Sequence, residues 1–121
     1  MKLSVIGSNT ITDEKLVDSA LTKWKLDQTS SVLGGGGKGV AGLVKQWCSK
    51  HKINHVEFLP YFLLDNTVDF SNKYFFIRNK QLVDNADSVL FIYNGDCKDV
   101  EYAIKYAQKL GKDITIVKVP K

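Results

Sequence analysis

Apolar residues follow two alternating patterns along this chain. Short apolar runs bounded by turn-forming residues predict five β-strands, at residues 2–6, 31–33, 55–59, 88–93 and 114–119. Between them, apolar residues recur at helical spacing, as in Val40, Leu43, Val44 and Trp47. This spacing predicts helices at 13–25, from 40 onward, at 78–86 and around 100–110, with Gly111 as the stop of the last one. Residues 61–73 show no regular period, and we expect an irregular connection there.

Strands that alternate with helices in this way are typical of a parallel sheet, because parallel strands need helical crossovers on the faces of the sheet. The predicted fold class is therefore α/β, a three-layer Rossmann-like parallel sheet of about five strands with helices on both faces. A chain of 121 residues can bury one core, so we expect a single domain over 1–121. In such sheets ligands bind beyond the carboxyl ends of the strands, where the strand order reverses.

The segment after the second predicted strand is rich in glycine. Six of the nine residues from Gly34 to Gly42 are glycine, and Lys38 stands among them. Glycine lets a ligand approach the backbone closely, and the first N–H groups of the following helix carry the positive end of its dipole. The segment predicts a phosphate site formed by Gly34, Gly35, Gly36, Gly37, Lys38 and Gly39. The alternative is a tight turn that needs glycine for steric reasons alone. A Walker A loop is excluded, because neither Ser nor Thr follows the lysine.

Two further turns of small residues leave the same edge of the predicted sheet. Gly7, Ser8 and Asn9 follow the first strand, and Asn94 and Gly95 follow the fourth. Ser8 and Asn9 would donate hydrogen bonds to a phosphate or ribose, or would form an ordinary loop that caps the next helix. We expect the three turns to line one ligand site.

Composition and charge narrow the class of protein. The net charge of +4 comes from 17 basic and 13 acidic residues, without the dense basic run of a dedicated nucleic-acid binder. Nucleic acid is therefore not the expected partner. The apolar runs are too short to cross a membrane and the first residues do not form a signal peptide, so we expect a cytoplasmic protein. Cys48, Cys97, His51 and His55 lack metal-ligand spacing, and we expect reduced thiols, no metal and no cofactor.

Several of these features together resemble the SLOG superfamily. They are Gly7-Ser8 after the first strand, the glycine segment, the pair Arg78-Asn79, and Ala86-Asp87 before the fourth strand. The phrase from Ile77 to Asp87 is similar to the "IRN…M…AD" signature of the YspA-type branch, once grouped as a domain of unknown function (DUF2493). The resemblance spans nearly the whole chain.

The resemblance implies a nucleotide or ADP-ribose-like ligand. The superfamily includes cytokinin-activating phosphoribohydrolases, which cleave the N-glycosidic bond of a nucleotide with an arginine and a glutamate, and the segment 34–42 is similar to their GGGxxGLMG motif. Other members bind nucleotide-derived signals. Where the family has a glycine-threonine turn after the fourth strand, this chain has Gly95-Asp96-Cys97-Lys98-Asp99. The threonine is missing, and two acids, Asp96 and Asp99, are present. Each of them is a candidate for a second carboxylate of the site or for a helix N-cap. This departure favours binding over turnover.

Arg78, with Asn79 beside it, is the strongest single candidate for the site. It is the only arginine of the chain, and by resemblance it corresponds to the hydrolase arginine and would clamp a phosphate or ribose with its guanidinium fork. The alternative is a surface arginine paired with Asp84 or Asp87. Glu101 is the candidate catalytic acid, unless it only favours the dipole of its helix.

The expected function is binding of a nucleotide-derived ligand, namely a nucleotide, an ADP-ribose-like molecule or a cyclic signalling nucleotide. The protein would act as a sensor or would sequester the ligand, and sequestration would suit a virus that counters nucleotide signalling. The resemblance also implies a homodimer or higher homo-oligomer. One alternative is an N-glycosidic phosphoribohydrolase that acts on a nucleoside monophosphate with Arg78 and Glu101. The other is a nucleic-acid-binding Rossmann-like protein. Whether the chain is an enzyme stays open at this point.

Overall fold

Five strands and four helices alternate along the described part of the chain in a computed structural model of the protein. The described residues are 1–8, 10–24, 26–27, 29–35, 39–58, 73–95 and 97–119, with the backbone alone for 73–76. The strands are β1 (Lys2–Gly7), β2 (Ser31–Gly35), β3 (Asn54–Phe58), β4 (Ser88–Tyr93) and β5 (Asp113–Lys118). The helices are α1 (Glu14–Thr22), α2 (Val40–His51), α3 (Lys73–Asp84) and α4 (Lys98–Lys109). None of these helices has the length and apolar character that crossing a membrane requires.

The five strands form one parallel sheet in the order β3-β2-β1-β4-β5. From β1 the chain winds outward through β2 to β3, and it then returns to β4 on the other side of β1 and winds outward to β5. The direction of winding therefore reverses between β1 and β4. Doubly wound sheets bind their ligands beyond the carboxyl ends of the strands at such a reversal.

The sheet separates two apolar cores, because successive side chains of a strand point to opposite faces. On one face, residues such as Leu3, Val5 and Leu90 pack with α1 and α2. On the other face, residues such as Leu33 and Phe91 pack with α3 and α4. The buried Ser4 lies in β1, and its hydroxyl donates a 2.5 Å hydrogen bond to the carbonyl of Leu82 in α3. The α/β fold class with helices on both faces is thus confirmed.

The ends of the helices follow local rules of the sequence. Asp13 caps α1, and its carboxylate accepts a hydrogen bond from the backbone N–H of Lys15 at 3.0 Å. Lys52 ends α2 in the left-handed region at φ 58°. Gly111 follows α4 at φ 70°, a conformation that glycine adopts without strain. The predicted stop at Gly111 is therefore confirmed.

The predicted boundaries of α1, β2 and α3 differ most from the observed ones. The first helix ends at Thr22 instead of residue 25. The second strand continues through Gly35, so that Gly34 and Gly35 belong to the sheet and not to the turn. The third helix begins at Lys73, five residues before Arg78, which therefore does not open it. Consecutive aromatic residues at 74–76 hide the helical period, and this explains the late predicted start. Residues 61–72 of the expected irregular connection lie outside the described residues.

Candidate functional site

The turns after β1 and β4 are joined by side-chain hydrogen bonds. Ser8 is 1% exposed, and its hydroxyl donates to Asn94 Oδ1 at 3.1 Å and accepts from the Asn94 backbone N–H at 3.3 Å. The Asn94 amide also donates to Thr10 Oγ1 at 2.7 Å. Both Ser8 and Asn94 were predicted to contact a ligand. Their hydrogen bonds to each other favour a positioning role, in which Ser8 fixes the distance between the two turns.

Gly7 allows the N-terminus of α2 to lie directly against the end of β1. A Cβ built at Gly7 would lie 2.6 Å from Val40 Cβ and 2.7 Å from the carbonyl oxygen of Ile92. The Val40 backbone N–H donates to the carbonyl of Ser8 at 3.3 Å, which completes the contact. Gly7 therefore acts through packing: it brings the start of α2 to the point where the strand order reverses.

The first turn of α2 is well suited to attract an anion. Its N-cap is Gly39, at φ 71° and ψ −142°, which has no side chain to accept a hydrogen bond from the helix. The first turn also contains no acidic residue. The N–H groups of a first turn have no intrahelical acceptor and carry the positive end of the helix dipole. Of the predicted phosphate loop, Gly36, Gly37 and Lys38 lie outside the described residues, as does Asn9.

The two glycines that end β2 each make room for a basic side chain. A Cβ at Gly35 would lie 2.6 Å from Arg78 Nη1 and 2.8 Å from Arg78 Cζ. A Cβ at Gly34 would lie 3.1 Å from Nε2 of His55 in the neighbouring strand. Since successive residues of a strand face opposite ways, the two basic side chains lie on opposite faces of β2. Glycine at these two positions gives both side chains room, and at Gly35 it lets the guanidinium of Arg78 lie against the carboxyl end of β2.

Four residues form a hydrogen-bonded group around this arginine, which we call the arginine cluster: Arg78, Asn79, Cys97 and Asp99. Arg78 donates from Nε and Nη2 to Asn79 Oδ1, at 3.3 and 3.1 Å. Asn79 is fully buried, and its amide donates to the Asp99 carbonyl at 3.3 Å and to Asp99 Oδ2 at 3.4 Å. The Cys97 thiol donates to Asp99 Oδ1 at 2.6 Å. The cluster joins α3 to the start of α4 and fixes the plane of the guanidinium.

Burial shifts the pKa of two groups in the cluster, Arg78 and Cys97. Burial lowers the pKa of Arg78, while the charge of Asp99 opposes this shift. A guanidinium remains charged under such a shift, because its ordinary pKa lies far above neutral pH. Burial also raises the pKa of the Cys97 thiol to about 11, and the hydrogen bond and charge of Asp99 add to this. At neutral pH the Arg78 side chain is therefore a cation and the Cys97 thiol is neutral.

Glu101, the candidate catalytic acid, has a different partner. It is exposed in the first turn of α4 and accepts a hydrogen bond from the Tyr93 hydroxyl. The acids considered as surface partners for Arg78 are also engaged elsewhere. Asp84 accepts from the Tyr106 hydroxyl at 2.6 Å, and Asp87 accepts from the Lys2 backbone N–H at 2.8 Å.

Gly95 follows Asn94 at φ 88°, a conformation that favours glycine. The turn then leads to Cys97, which is the N-cap of α4, so Asp99 lies in the first turn of the helix and not at its cap. Cys97 and Thr10 were not predicted as parts of the site. No sequence motif singles them out. The partner of Thr10 is Asn94, 84 residues away, whereas Cys97 binds Asp99 within the same helix start. Across the described residues, no group of three or more His, Cys, Asp or Glu residues is placed to hold a metal ion.

A groove of about 550 Å³ lies between α1 and α2. Asp18, Trp47 and His51 are among the residues that line it. The Trp47 indole N–H donates to Asp18 at 2.9 Å, and its ring lies 4.3 Å from the His51 ring. Asp18 in α1 and Trp47 in α2 thus bind each other across the groove. We therefore interpret the groove as a packing feature of the two helices.

Comparison with known proteins identifies the fold. No family model matches the chain, and no curated protein matches it. Among solved structures, DNA processing protein A (DprA) from Streptococcus pneumoniae is similar, with a TM-score of 0.75 and 14% identity. The match covers 95% of this chain and 49% of DprA, so the chain spans about half the length of that protein. The C-terminal domain of a hydrogenase from Pyrococcus furiosus is also similar, with a TM-score of 0.54, 13% identity and coverage of 96% and 90%. At such low identities the likeness shows the fold alone: this chain has the Rossmann-like α/β fold found in DprA.

Proposed function

We propose that this chain binds a nucleotide-derived ligand at the carboxyl edge of its sheet, with the phosphate held between the start of α2 and Arg78. The observation that carries the proposal is the position of the guanidinium, against the bare backbone of Gly35 and oriented by the fully buried Asn79. A guanidinium whose plane is fixed by Asn79 keeps its positive charge in a fixed position, which favours a phosphate as its partner.

The surroundings of this arginine support the proposal in two further ways. The first turn of α2 has no side-chain cap and no acid, so its dipole is available to an anion. The start of α2 also contacts Gly7 at the end of β1, next to the strand-order reversal where sheets of this kind usually bind ligands. SLOG membership, suggested by the phrase 77–87, fits the same ligand class and the fold shared with DprA.

Native mass spectrometry of the freshly purified protein is the first test, because a retained ligand reveals its own mass. Isothermal titration calorimetry with ribonucleotides then measures affinity for the wild type, Arg78→Ala and Lys109→Ala. Lys109 is exposed in the last turn of α4, at the other end of the sheet, so this variant removes one positive charge away from the site. We expect Arg78→Ala to weaken binding by about 10- to 100-fold, as the loss of a charge-assisted hydrogen bond does. Equal affinities for the two variants would disprove the site.

Incubation of the protein with the same ribonucleotides separates binding from hydrolysis. After denaturation, chromatography of the supernatant returns intact nucleotide if the protein only binds it. We expect intact nucleotide, because Glu101 is exposed and hydrogen-bonded to Tyr93. Free base that the wild type produces and Glu101→Gln does not would instead support the phosphoribohydrolase function.

Nucleic-acid binding is the second candidate, and the observation that favours it is the structural likeness to a DNA processing protein. Its electrostatic basis is weak, because the net charge is only +4. Fluorescence anisotropy with random single-stranded DNA at two salt concentrations tests it. A salt-dependent affinity for DNA, with no binding of mononucleotides, would favour this second function over the first.

A further inference from the structure

A carboxylate lies inside the arginine cluster, at the end of the proposed site that α4 forms. Asp99 is partly buried in the first turn of α4. Both of its carboxylate oxygens have protein donors, since Oδ1 accepts from the Cys97 thiol at 2.6 Å and Oδ2 accepts from the Asn79 amide at 3.4 Å. Its negative charge also acts on Arg78. The protein thus supplies its own anion beside the arginine.

This anion changes what the start of α4 can attract. The positive end of a helix dipole favours negative charge, and here Asp99 and Glu101 both already stand in the first turn. The neighbouring Cys97 carries no charge at neutral pH, because burial raises its pKa to about 11. A phosphate placed at the start of α4 would therefore face a fixed carboxylate, and like charges at such short range repel strongly in a partly buried site.

The start of α2 has the opposite character. Its N-cap is Gly39, and no acidic residue stands in its first turn. Gly7 holds this helix against the end of β1, beside the strand-order reversal. The carboxyl edge therefore has one helix end that suits a phosphate and one that suits hydroxyl groups, which donate readily to a carboxylate.

We propose that Asp99 restricts the site to ligands that carry a single phosphate group. This inference rests on the proposed function. The ligand class is a nucleoside monophosphate, linear or cyclic, whose uncharged, hydroxyl-bearing part faces Asp99. Pyrophosphate compounds, such as nucleoside diphosphates and ADP-ribose, are disfavoured.

The test compares AMP, GMP, CMP and UMP with the corresponding diphosphates, by calorimetry in magnesium-free buffer. For the base that binds best, we expect the wild type to prefer the monophosphate by about tenfold or more, which corresponds to about 1.4 kcal/mol. Asp99→Asn keeps an oxygen acceptor for the cluster but removes the charge. We expect it to reduce this preference to about threefold or less, mainly by strengthening diphosphate binding.

Asp113→Asn is the matched control, since it removes the same charge at the amino end of β5, at the opposite edge of the sheet. It should leave the preference unchanged. A wild type that binds both forms equally, or an Asp99→Asn variant that keeps the full preference, would overturn the inference while the proposed function stands. If the wild type and Asp99→Asn bind none of the eight nucleotides and none of the 3′,5′-cyclic monophosphates of the same four bases, and native mass spectrometry shows no retained ligand, the proposed function and the inference both fail.

Discussion

Replacing Gly7 with alanine measures how tightly α2 is packed against the sheet. Gly7 does not have a positive φ, unlike Gly39, Gly95 and Gly111, so backbone strain plays no part in the substitution. The new methyl group would lie 2.6 Å from Val40 Cβ and 2.7 Å from a backbone carbonyl oxygen, and neither atom can rotate away. The start of α2 must therefore shift away from β1.

The expected cost follows from this geometry. Overpacking by one methyl group costs about 1–3 kcal/mol, and the absence of any flexible neighbour at Gly7 places this variant near the upper end. Alanine also restricts the unfolded chain, which offsets about 0.4–1 kcal/mol. The net loss is about 2 kcal/mol, which lowers Tm by roughly 6–12 °C in a domain of this size.

Thermal and urea unfolding followed by circular dichroism measure this loss. Gly111→Ala is the control, because φ there is 70° but no atom lies within 4 Å of the new Cβ. The only cost of this control substitution is the left-handed backbone strain of about 1–2 kcal/mol. Alanine restricts the unfolded chain at position 111 as much as it does at position 7, so that gain is the same in both variants. The Gly7 variant should be clearly the less stable of the two. A Tm for Gly7→Ala at or above that of Gly111→Ala would refute the close packing of α2 on β1.

Three further predictions concern the neighbouring residues. Gly35→Ala should leave the fold more stable than Gly7→Ala does, because its methyl group meets the end of the long Arg78 side chain, which can change rotamer, and not the backbone. That change would move the guanidinium out of its bonds to Asn79, and monophosphate affinity in calorimetry should fall about tenfold. Asn79→Ala should lower the free energy of unfolding in urea by about 2 kcal/mol, because the variant loses the hydrogen bonds of a fully buried amide to α3 and α4. A loss below about 0.5 kcal/mol, about the smallest reliable difference, would contradict the arginine cluster. Burial lowers the pKa of His55, whose Nε2 is buried without a hydrogen-bond partner among the described residues. As the pH falls, the imidazole of His55 is therefore protonated in the unfolded state before it is protonated in the folded state. Its contribution to stability is full above about pH 6.5 and is lost as the pH drops below that value. Urea midpoints measured from pH 7.5 to 5 should therefore fall less steeply for His55→Gln than for the wild type.

Patterns confined to one segment predicted the fold well. The run from Ser88 to Tyr93 is continuously apolar, and the predicted strand has the observed bounds of β4. The start of α3 was predicted five residues late, because the aromatic residues at 74–76 mask the period on which the prediction rested. Residue types typical of a helix N-cap, Ser71 and Asn72, stand directly before Lys73 in the sequence.

The site was harder to predict, because its contacts join distant parts of the chain. The sequence singles out Arg78 as the only arginine, but nothing local shows that it lies against Gly35. Asn79 and Asp99 are 20 residues apart, and Ser8 and Asn94 are 86 apart. These pairs meet only because β1 and β4 are neighbours in the sheet and α3 packs on α4. Periodicity predicts which elements form, whereas such pairs depend on how the elements are placed.

The way in which Arg78 is held bears on the kind of binding to expect. Two of its N–H groups donate to the same amide oxygen of Asn79, and the guanidinium also lies against Gly35, so its plane is fixed before any ligand arrives. A lysine would offer one mobile ammonium group, which cannot make these paired contacts. Ordering a long side chain upon binding costs about 0.5–1.5 kcal/mol, and here that ordering already occurs during folding. We therefore expect a ligand to bind at the proposed site with little rearrangement of α3 or α4.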